Sequence, residues 1–351
     1  MLKRILKLLA VLVGALVLAL AGLIVFLSVS EYKPAPIQDA DHFISASNAA
    51  PAGKSLRIAS WNIGYGGLGK DSDFFMDGGK MVNPPSSAAI RTNLEGIRSF
   101  VAGTPADVWL FQEVDVDSAR SERINQFTLL DNTVAGSAAM AYNYNCPFVP
   151  IPMPPIGKVE SGVATMTELA VTGTPQRIAL PCPFSWPVST ANLKRCLLLT
   201  RVDVEGTDKE LVLINLHLEA YESGEGRIAQ ARQLVELMQE EYKKGNFVIA
   251  GGDFNQSFPG ALETFPLKDP AAWAPGVLEE SALPEGFGYA FDPEAPTCRL
   301  LDKPYTPDNQ LYLIDGFILS PNVRLDRVET AALDFEHADH NPVLLDVTLV
   351  F

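Results

Sequence analysis

The chain has 351 residues, of which 47% are hydrophobic and 20% are charged, and its formal net charge is −15. This balance is typical of a globular protein with a sizeable core, built as one large domain or two small ones. So acidic a chain argues against a protein that grips nucleic acid by charge alone. It does not exclude a metal enzyme, because bound cations supply positive charge at the site itself.

The first thirty residues have the composition of a membrane anchor. Residues 8–27 carry no charge, and a bilayer is spanned by about 20 apolar residues, whereas the apolar part of a signal peptide usually has about 7–15. The Ser-Val-Ser segment at 28–30 is compatible with a cleavage site, so a cleaved signal is the alternative. Because Lys3, Arg4 and Lys7 precede the run, the pattern predicts a single-pass membrane protein whose body is extracytoplasmic.

The anchor (residues 1–30) is followed by a segment with little pattern. Residues 31–55 are rich in Pro, Ala, Ser and Asp, which predicts a flexible tether to a body comprising residues 56–351. The body lacks a CxxC pair or a Cys/His cluster, so no structural zinc site is expected. In an oxidising compartment its four cysteines could form disulfides, with three pairings open: Cys146, Cys182, Cys196 and Cys298.

The body alternates apolar runs with amphipathic segments. The apolar runs predict strands at 56–63, 107–114, 162–166, 196–204, 211–218, 247–252, 311–319 and 343–351. Helical spacing of apolar residues predicts helices at 86–101, 117–131 and 226–244. The Pro- and Gly-rich region 258–310 does not resolve into elements, and a loop of that length is often functional. Because helices separate several of the strands, the pattern indicates an α/β fold of two sheets with helices outside.

Polar side chains stand at the ends of several predicted strands. They are Asn62, Glu113, His217, Asp253 with Asn255, and Asp339 with His340, while Asp315 lies within another strand. A carboxylate in an apolar stretch is costly unless it is paired or bound to a metal, which favours Glu113 as a ligand. Asn62 has the alternative reading of a turn former. His217 shares a strand face with Asn215 by the two-residue period, but a lone strand histidine is usually a hydrogen-bonded core residue.

The segment 251–255, Gly-Gly-Asp-Phe-Asn, follows the most apolar of the predicted strands. Its two glycines allow a sharp turn or a close backbone approach. A hydrolase uses a carboxylate to align or deprotonate a nucleophile and an amide to hold a substrate oxygen, and Asp253 and Asn255 supply both groups. An Asx-type turn after a core strand is the alternative reading.

Taken together, the motifs resemble those of the endonuclease/exonuclease/phosphatase superfamily, which includes deoxyribonucleases, neutral sphingomyelinases and inositol polyphosphate phosphatases. The matching pieces run in order from about residue 56 to the end: Trp61-Asn62, Gln112-Glu113, Asn215-Leu216-His217, Gly252-Asp253-Phe254-Asn255, Ile314-Asp315 and Asp339-His340. The resemblance implies a four-layer α/β sandwich of two mixed sheets face to face with helices outside. It also implies hydrolysis of a phosphodiester or phosphomonoester with Mg²⁺, or with Mn²⁺ or Ca²⁺ as alternatives.

The resemblance also implies a role for each residue of the set. Glu113 would be the principal metal ligand, with Asn62 and Asp339 beside it. Asp253 would orient or deprotonate the attacking water and Asn255 would hold a phosphate oxygen. His340, oriented by Asp315, would act on the phosphorane, and His217 would donate to a phosphate oxygen or to the leaving group.

The sequence suggests three other functions. His337-Ala338-Asp339-His340 is similar to the tail of the dizinc motif of metallo-β-lactamase-type hydrolases, but position 335 is Phe and no histidine follows His340, so that reading is rejected. An extracytoplasmic nuclease acting on DNA or RNA is one alternative, with nucleic acid as substrate only. A binding module of the same fold without catalysis is another. Anchoring near a bilayer favours a phospholipid head group as substrate.

Overall fold

The structure, a computed structural model, describes residues 2–47, 49–221 and 224–351. Its α-helices are α1 Leu2–Val29, α2 Ser87–Gly103, α3 Gln126–Val134, α4 Glu225–Lys243 and α5 Ala261–Thr264. Its strands are β1 Ile37–Asp39, β2 His42–Ile44, β3 Ser55–Asn62, β4 Val108–Asp115, β5 Ser137–Val149, β6 Gly157–Thr167, β7 Gln176–Ala179, β8 Cys196–Asp203, β9 Glu210–His217, β10 Phe247–Asp253, β11 Gln256–Ser257, β12 Gly276–Val277, β13 Gly288–Ala290, β14 Cys298–Arg299, β15 Leu311–Tyr312, β16 Asp315–Leu319, β17 Val323–Thr330 and β18 Val343–Leu349.

Among the described residues, two seven-stranded mixed sheets form the centre of the molecule. The first has the strand order β1-β7-β8-β9-β10-β16-β13 and the second β17-β18-β3-β4-β6-β5-β2. Leu213 on β9 and Ile249 on β10 share one buried cluster with Ile58 on β3 and Leu110 on β4. The two sheets therefore face each other across this core.

Helices cover the outer faces, which completes four layers. Leu234 and Met238 of α4 pack on the first sheet, while Leu94 and Ile97 of α2 pack on the second. The side chain of Ser86 accepts a hydrogen bond from the Ala89 N–H at 3.1 Å and so caps the start of α2. The predicted four-layer α/β sandwich is confirmed.

The central strands are apolar on both faces because each face is covered by another layer of the sandwich. On β9, Leu211 and Leu213 enter the core between the sheets, and Val212 and Ile214 pack in the layer that contains α4. This is the reason that these strands read as continuous apolar runs and not as alternating ones.

The segment predicted as a flexible tether differs from that expectation. β1 pairs with β7 at the edge of the first sheet, and β2 pairs with β5 at the edge of the second. Glu31 forms an ion pair of 2.8 Å with Lys194. Residues 31–44 are therefore held against the body, and they add an edge strand to each sheet.

Three other elements differ from the sequence-based expectation. The predicted helix at 117–131 is a 3₁₀ turn at Ala119–Ser121 and then α3, because Glu122 and Arg123 take positive φ between them. The predicted strand at 311–319 is broken into β15 and β16, so Asp315 begins a strand and is not in its middle. Region 258–310 contains only short elements, α5 and β12 to β14 among them.

Candidate active site

The space between the sheets changes from apolar to polar at one end. On β3, Leu56 and Ile58 belong to the shared core, and the two-residue period then carries Ser60 and Asn62 onto the same face. The same change occurs on β9 after Leu213 and on β10 after Ile249. The strands thus place Asn62, Gln112, Asn215, His217 and Asp253 in one buried polar layer.

Strand register sets the neighbours of Asp253. It lies opposite His217 on the parallel strand β9 and opposite Asp315 on the antiparallel strand β16. Its Oδ2 lies 3.4 Å from Nε2 of His217 and accepts a hydrogen bond of 3.0 Å from Nδ2 of Asn62. One carboxylate therefore contacts both an imidazole and an amide from two different sheets.

His340 reaches this carboxylate from the loop before β18. Its Nδ1 is 2.8 Å from Oδ2 of Asp315, and its Nε2 is 3.8 Å from Oδ2 of Asp253. The indole N–H of Trp61 donates to the His340 carbonyl at 2.9 Å, which fixes the backbone of the loop. Because one ring nitrogen is paired with Asp315, the other is directed at the site.

A β-bulge directs Glu113 into the site. Phe111 pairs with Ala164 and Val114 with Gly162, so β4 contains one more residue than β6 in this interval. Glu113 has a φ of 55° there, and its Oε1 lies 3.4 Å from Nδ2 of Asn62. Bulges beside active sites commonly re-aim a side chain in this way.

The end of β10 depends on its glycines and on the turn after them. A Cβ on Gly252 would lie 2.0 Å from the carbonyl oxygen of Leu216, and the φ of Gly252 is 146°. Asn255 has a φ of 50°, and its backbone N–H donates to Oδ1 of Asp253 at 2.9 Å. The Asx turn and the site are therefore the same feature, and the turn holds the carboxylate in place.

Burial raises the pKa of three carboxyl groups in the site. The pKa of Asp253 is raised to about 6 by burial and by the neighbouring Asp315. Burial also raises the pKa of Asp339, to about 7, with the charge of Glu113 adding to the effect. The pKa of Glu113 is raised in the same way. This cluster of negative charge is costly in isolation, and a cation would relieve it.

The two histidines have opposite shifts. Burial lowers the pKa of His217 well below its usual range, with the positive charge of Arg195 acting in the same direction. Burial also opposes a charge on His340, but the carboxylates around it, Asp315 above all, raise its pKa well above the usual range. The surroundings therefore favour the neutral form of His217 and the charged form of His340, and both rings lie near Oδ2 of Asp253.

Two sets of donors fit a divalent cation. Oδ1 of Asp339 is buried and accepts no hydrogen bond from the described part of the chain. Glu113 and the oxygen of Asn62, which among the described residues accepts one hydrogen bond, from the backbone N–H of Gly64, offer further oxygen ligands of the kind Mg²⁺ prefers. Ligand atoms of Asp253, Asp315 and His340 also lie within 4.8 Å of one another, but the hydrogen bond between His340 and Asp315 already uses one nitrogen of that set.

Several residues of the site have no obvious signal in the sequence. They line a cavity of about 410 Å³ together with Glu113, Asp253 and His340: Tyr65, Asp77, Arg120, Tyr221, Trp273 and Arg299. The Arg120 guanidinium lies 3.8 Å from the centre of the Tyr65 ring and forms an ion pair with Asp115. These residues lie in loops, in 3₁₀ turns and, for Arg299, on the two-residue strand β14. Only the fold determines where those segments meet, so neither period nor spacing could find the residues.

Other residues that the sequence analysis considered have structural roles. Nε2 of Gln112 donates to Oδ1 of Asn215 at 2.9 Å, a bond that joins the two sheets. His337 is half-buried and packs against Gly96 on α2. All four cysteines are free thiols, so none of the three disulfide pairings is present in the structure.

The chain is similar to known proteins in both sequence and fold. The sequence profile of the Endonuclease/Exonuclease/phosphatase family matches residues 59–329. The chain belongs to this family. Members of the family are hydrolases that act on phosphoesters. The match covers all the site residues except Asp339 and His340, which lie just beyond it.

Solved structures support the fold assignment. A family member from Beutenbergia cavernae is 18% identical, with a TM-score of 0.58 over 85% of this chain and 72% of that one. ANGEL2, a 2′,3′-cyclic phosphatase, is 14% identical, with a TM-score of 0.54 over 88% of this chain and 99% of that one. A member from Bacteroides vulgatus is 17% identical, with a TM-score of 0.52 over 84% and 99%. No functionally curated protein matches the chain.

Proposed function

We propose that this protein is a divalent-metal-dependent phosphoesterase, with Mg²⁺ as its cation, that acts at a membrane surface. The observation that carries the proposal is the convergence on Asp253 of His217, Asn62 and the His340–Asp315 pair at one end of the two sheets. An aligned carboxylate beside an imidazolium is suited to activating water and to stabilising charge on a phosphoryl group.

The cation would be held by Glu113 and Asp339, with Asn62 beside them. The support is the buried Oδ1 of Asp339, which has no hydrogen-bond partner in the described part of the chain, and the raised pKa of both carboxyls; a cation would relieve both. When bound, the metal would stabilise negative charge on the phosphoryl oxygens. Mn²⁺ and Ca²⁺ have similar oxygen preferences and are the alternatives to Mg²⁺.

The remaining residues would handle the water and the phosphate. Asp253 orients or deprotonates the attacking water, and its Oδ2 is held for this by Asn62. Asn255 donates one amide hydrogen to the Leu218 carbonyl, which leaves the other for a phosphate oxygen. His340, oriented by Asp315, stabilises the phosphorane, and His217 donates to a phosphate oxygen or to the leaving group.

The first test compares substrates side by side. Full-length protein in detergent is expected to hydrolyse at least one phosphoester among DNA, phospholipids and inositol phosphates with Mg²⁺ present, and to lose this activity in excess chelator. Restoring Mg²⁺ should restore the rate. Phospholipid hydrolysis would support the membrane substrate, whereas DNA hydrolysis alone would favour the nuclease alternative. Absence of turnover on all of them, with any divalent cation, would favour a catalytically silent binding module.

The N-terminal helix supports a membrane location. α1 has 28 residues, and an 18-residue window within it has a mean hydropathy of 3.0, so the helix is long and apolar enough to cross a bilayer, as an anchor or as a signal sequence. The C-terminal end of α1 packs against the body: Leu27 is only 6% exposed and lies in one cluster with Cys146, Val149 and Val159. Because cleavage would strip this packing from the body, the contact favours an uncleaved anchor.

The proposed orientation can be tested by labelling. In a Cys182→Ser background, Asp208→Cys places a thiol in the β8–β9 turn, where the Asp208 side chain is 85% exposed. A membrane-impermeant maleimide is expected to label it on intact cells, because the positive residues before α1 retain the N-terminus in the cytoplasm. The matched control, Leu2→Cys, keeps all three positive residues and should be labelled only after lysis. The reverse pattern would refute an extracytoplasmic body.

A further inference from the structure

Two uncharged loops expose large apolar side chains on one side of this acidic molecule. Ile151 and Met153, between β5 and β6, are 75% and 79% exposed, and Trp186 and Val188, between β7 and β8, are 63% and 57% exposed. Neither residues 146–157 nor residues 178–193 contain a charge. We refer to residues 150–156 and 183–188 as the docking face. Exposed apolar surface of this kind marks a contact with a partner or a membrane.

The end of α1 lies against this face. The indole N–H of Trp186 donates to Oγ of Ser28 at 3.0 Å, and Leu23 and Leu27 pack in one cluster with Val149 and Ile156. The uncharged stretch 8–27, at 1.5 Å per residue, is about 30 Å long and matches the apolar thickness of a bilayer. If α1 spans the membrane, Leu27 lies at its outer boundary, and the loops that contact Leu27 lie at the same depth.

The chemistry of the loops suits that depth. Proline has no N–H to leave unsatisfied in an apolar medium, and Pro150, Pro152, Pro154 and Pro155 make up most of the first loop. Tryptophan is enriched at the boundary between lipid tails and water. The ion pair of Lys194 with Glu31 lies just beyond the helix, so the charged groups nearest to this face begin where the apolar stretch has ended.

The docking face also continues into the active-site cavity. Ile151, Ile156 and Phe184 line one side of the cavity whose polar side holds Glu113 and His340. An amphiphilic molecule could therefore place its phosphate at the polar side while its apolar part remains along the wall next to the membrane.

We propose that the docking face rests in the outer interfacial layer of the membrane that α1 crosses, and that the cavity opens onto it. The substrate would then be an amphiphilic phosphoester drawn from the bilayer. This substrate class rests on the phosphoesterase function proposed above, whereas the contact with the bilayer rests only on α1 and the two loops.

The first arm of the test measures depth. Full-length protein is reconstituted into phosphatidylcholine vesicles, and tryptophan fluorescence is quenched by phosphatidylcholine brominated near the head group. The expected result is strong quenching that Trp186→Phe largely removes, since Trp61 and Trp109 are buried in the body and the half-buried Trp273 lies in the cavity and not on the docking face. Equal quenching in the two proteins would overturn the proposal. The proposal would also be overturned if the unmodified protein formed a dimer that Met153→Glu dissociates, because a second copy of the chain would then cover the docking face.

The second arm measures hydrolysis by a double variant, Met153→Glu with Val188→Glu, neither of which lines the cavity. On an alkyl p-nitrophenyl phosphodiester embedded in vesicles, kcat/KM is expected to fall at least about tenfold, because two apolar side chains no longer favour the interface. On soluble bis(p-nitrophenyl) phosphate, kcat/KM should stay within about twofold.

The control is Leu325→Glu, which puts one such negative charge on an exposed leucine of β17, the outermost strand of the second sheet. It should leave both rates unchanged. Equal losses on the two substrates, or no loss on the embedded one, would overturn the link between face and substrate. If the unmodified protein hydrolyses neither, the proposed function fails, and the quenching result alone decides whether the face meets the bilayer.

Discussion

Replacing Glu113 with Gln is expected to lower kcat with Mg²⁺ by about 10³-fold, equivalent to about 4 kcal/mol of transition-state stabilisation. The substitution keeps the shape of the side chain in the bulge but removes the negative charge that would hold the cation. Because that charge is destabilised by burial and by the nearby Asp253, the apparent Tm without metal is expected to stay the same or rise. Steady-state kinetics and thermal unfolding check the two effects.

A metal-binding readout separates this role from a structural one. Mg²⁺ should raise the Tm of the unmodified protein, because a ligand that binds only the folded state stabilises it. Glu113→Gln should lose most of that shift. Glu210→Ala, which breaks an ion pair with Arg201 at the far end of β9, should keep it. A full kcat in Glu113→Gln, or an undiminished Mg²⁺ shift, would contradict the assignment of Glu113.

The second large effect concerns His340 and Asp253. Each alanine substitution alone is expected to lower kcat/KM by about 10²–10⁴-fold, the range for removal of a positioned acid or base. The double variant should lose little more than the worse single one, because the two groups act on the same transition state. Their direct contact, 3.8 Å between Nε2 and Oδ2, is the structural reason for this coupling. A thermodynamic cycle on kcat/KM measures it.

A remote pair provides the comparison for that cycle. Glu210 and His217 stand at opposite ends of β9, about 23 Å apart at 3.3 Å per residue. Glu210→Ala combined with His340→Ala should therefore be additive within about 0.5 kcal/mol. Additivity of the His340 and Asp253 substitutions, as clean as that of the remote pair, would count against a shared step.

Much of the fold could be predicted because its signals are local. The runs that became β9 and β10 are apolar on both faces, and only a strand covered by a layer on each side has that pattern. The apolar stripe of α2 predicted a helix that begins and ends within two residues of the observed one. These features depend on residues close in sequence, so a single chain reveals them.

The short edge strands could not be predicted in the same way. β1 and β2 have three residues each, too few for a period to be visible. Their order comes from pairing with β7 and β5, more than ninety residues away. The consequence reaches the function, because a paired segment holds the body close to the end of α1, where a flexible tether would have let it move.

By itself, the sequence determined which residue types end the central strands and in what order, since buried apolar runs followed by Asn, Glu, His and Asp have few structural explanations. Only the tertiary structure decided how these groups meet. Strand register placed Asp253 between His217 and Asp315, a bulge directed Glu113 toward Asn62, and packing brought two uncharged loops against α1. Register, bulges and loop packing are set by contacts between residues far apart in the chain, and the local sequence pattern does not encode these contacts.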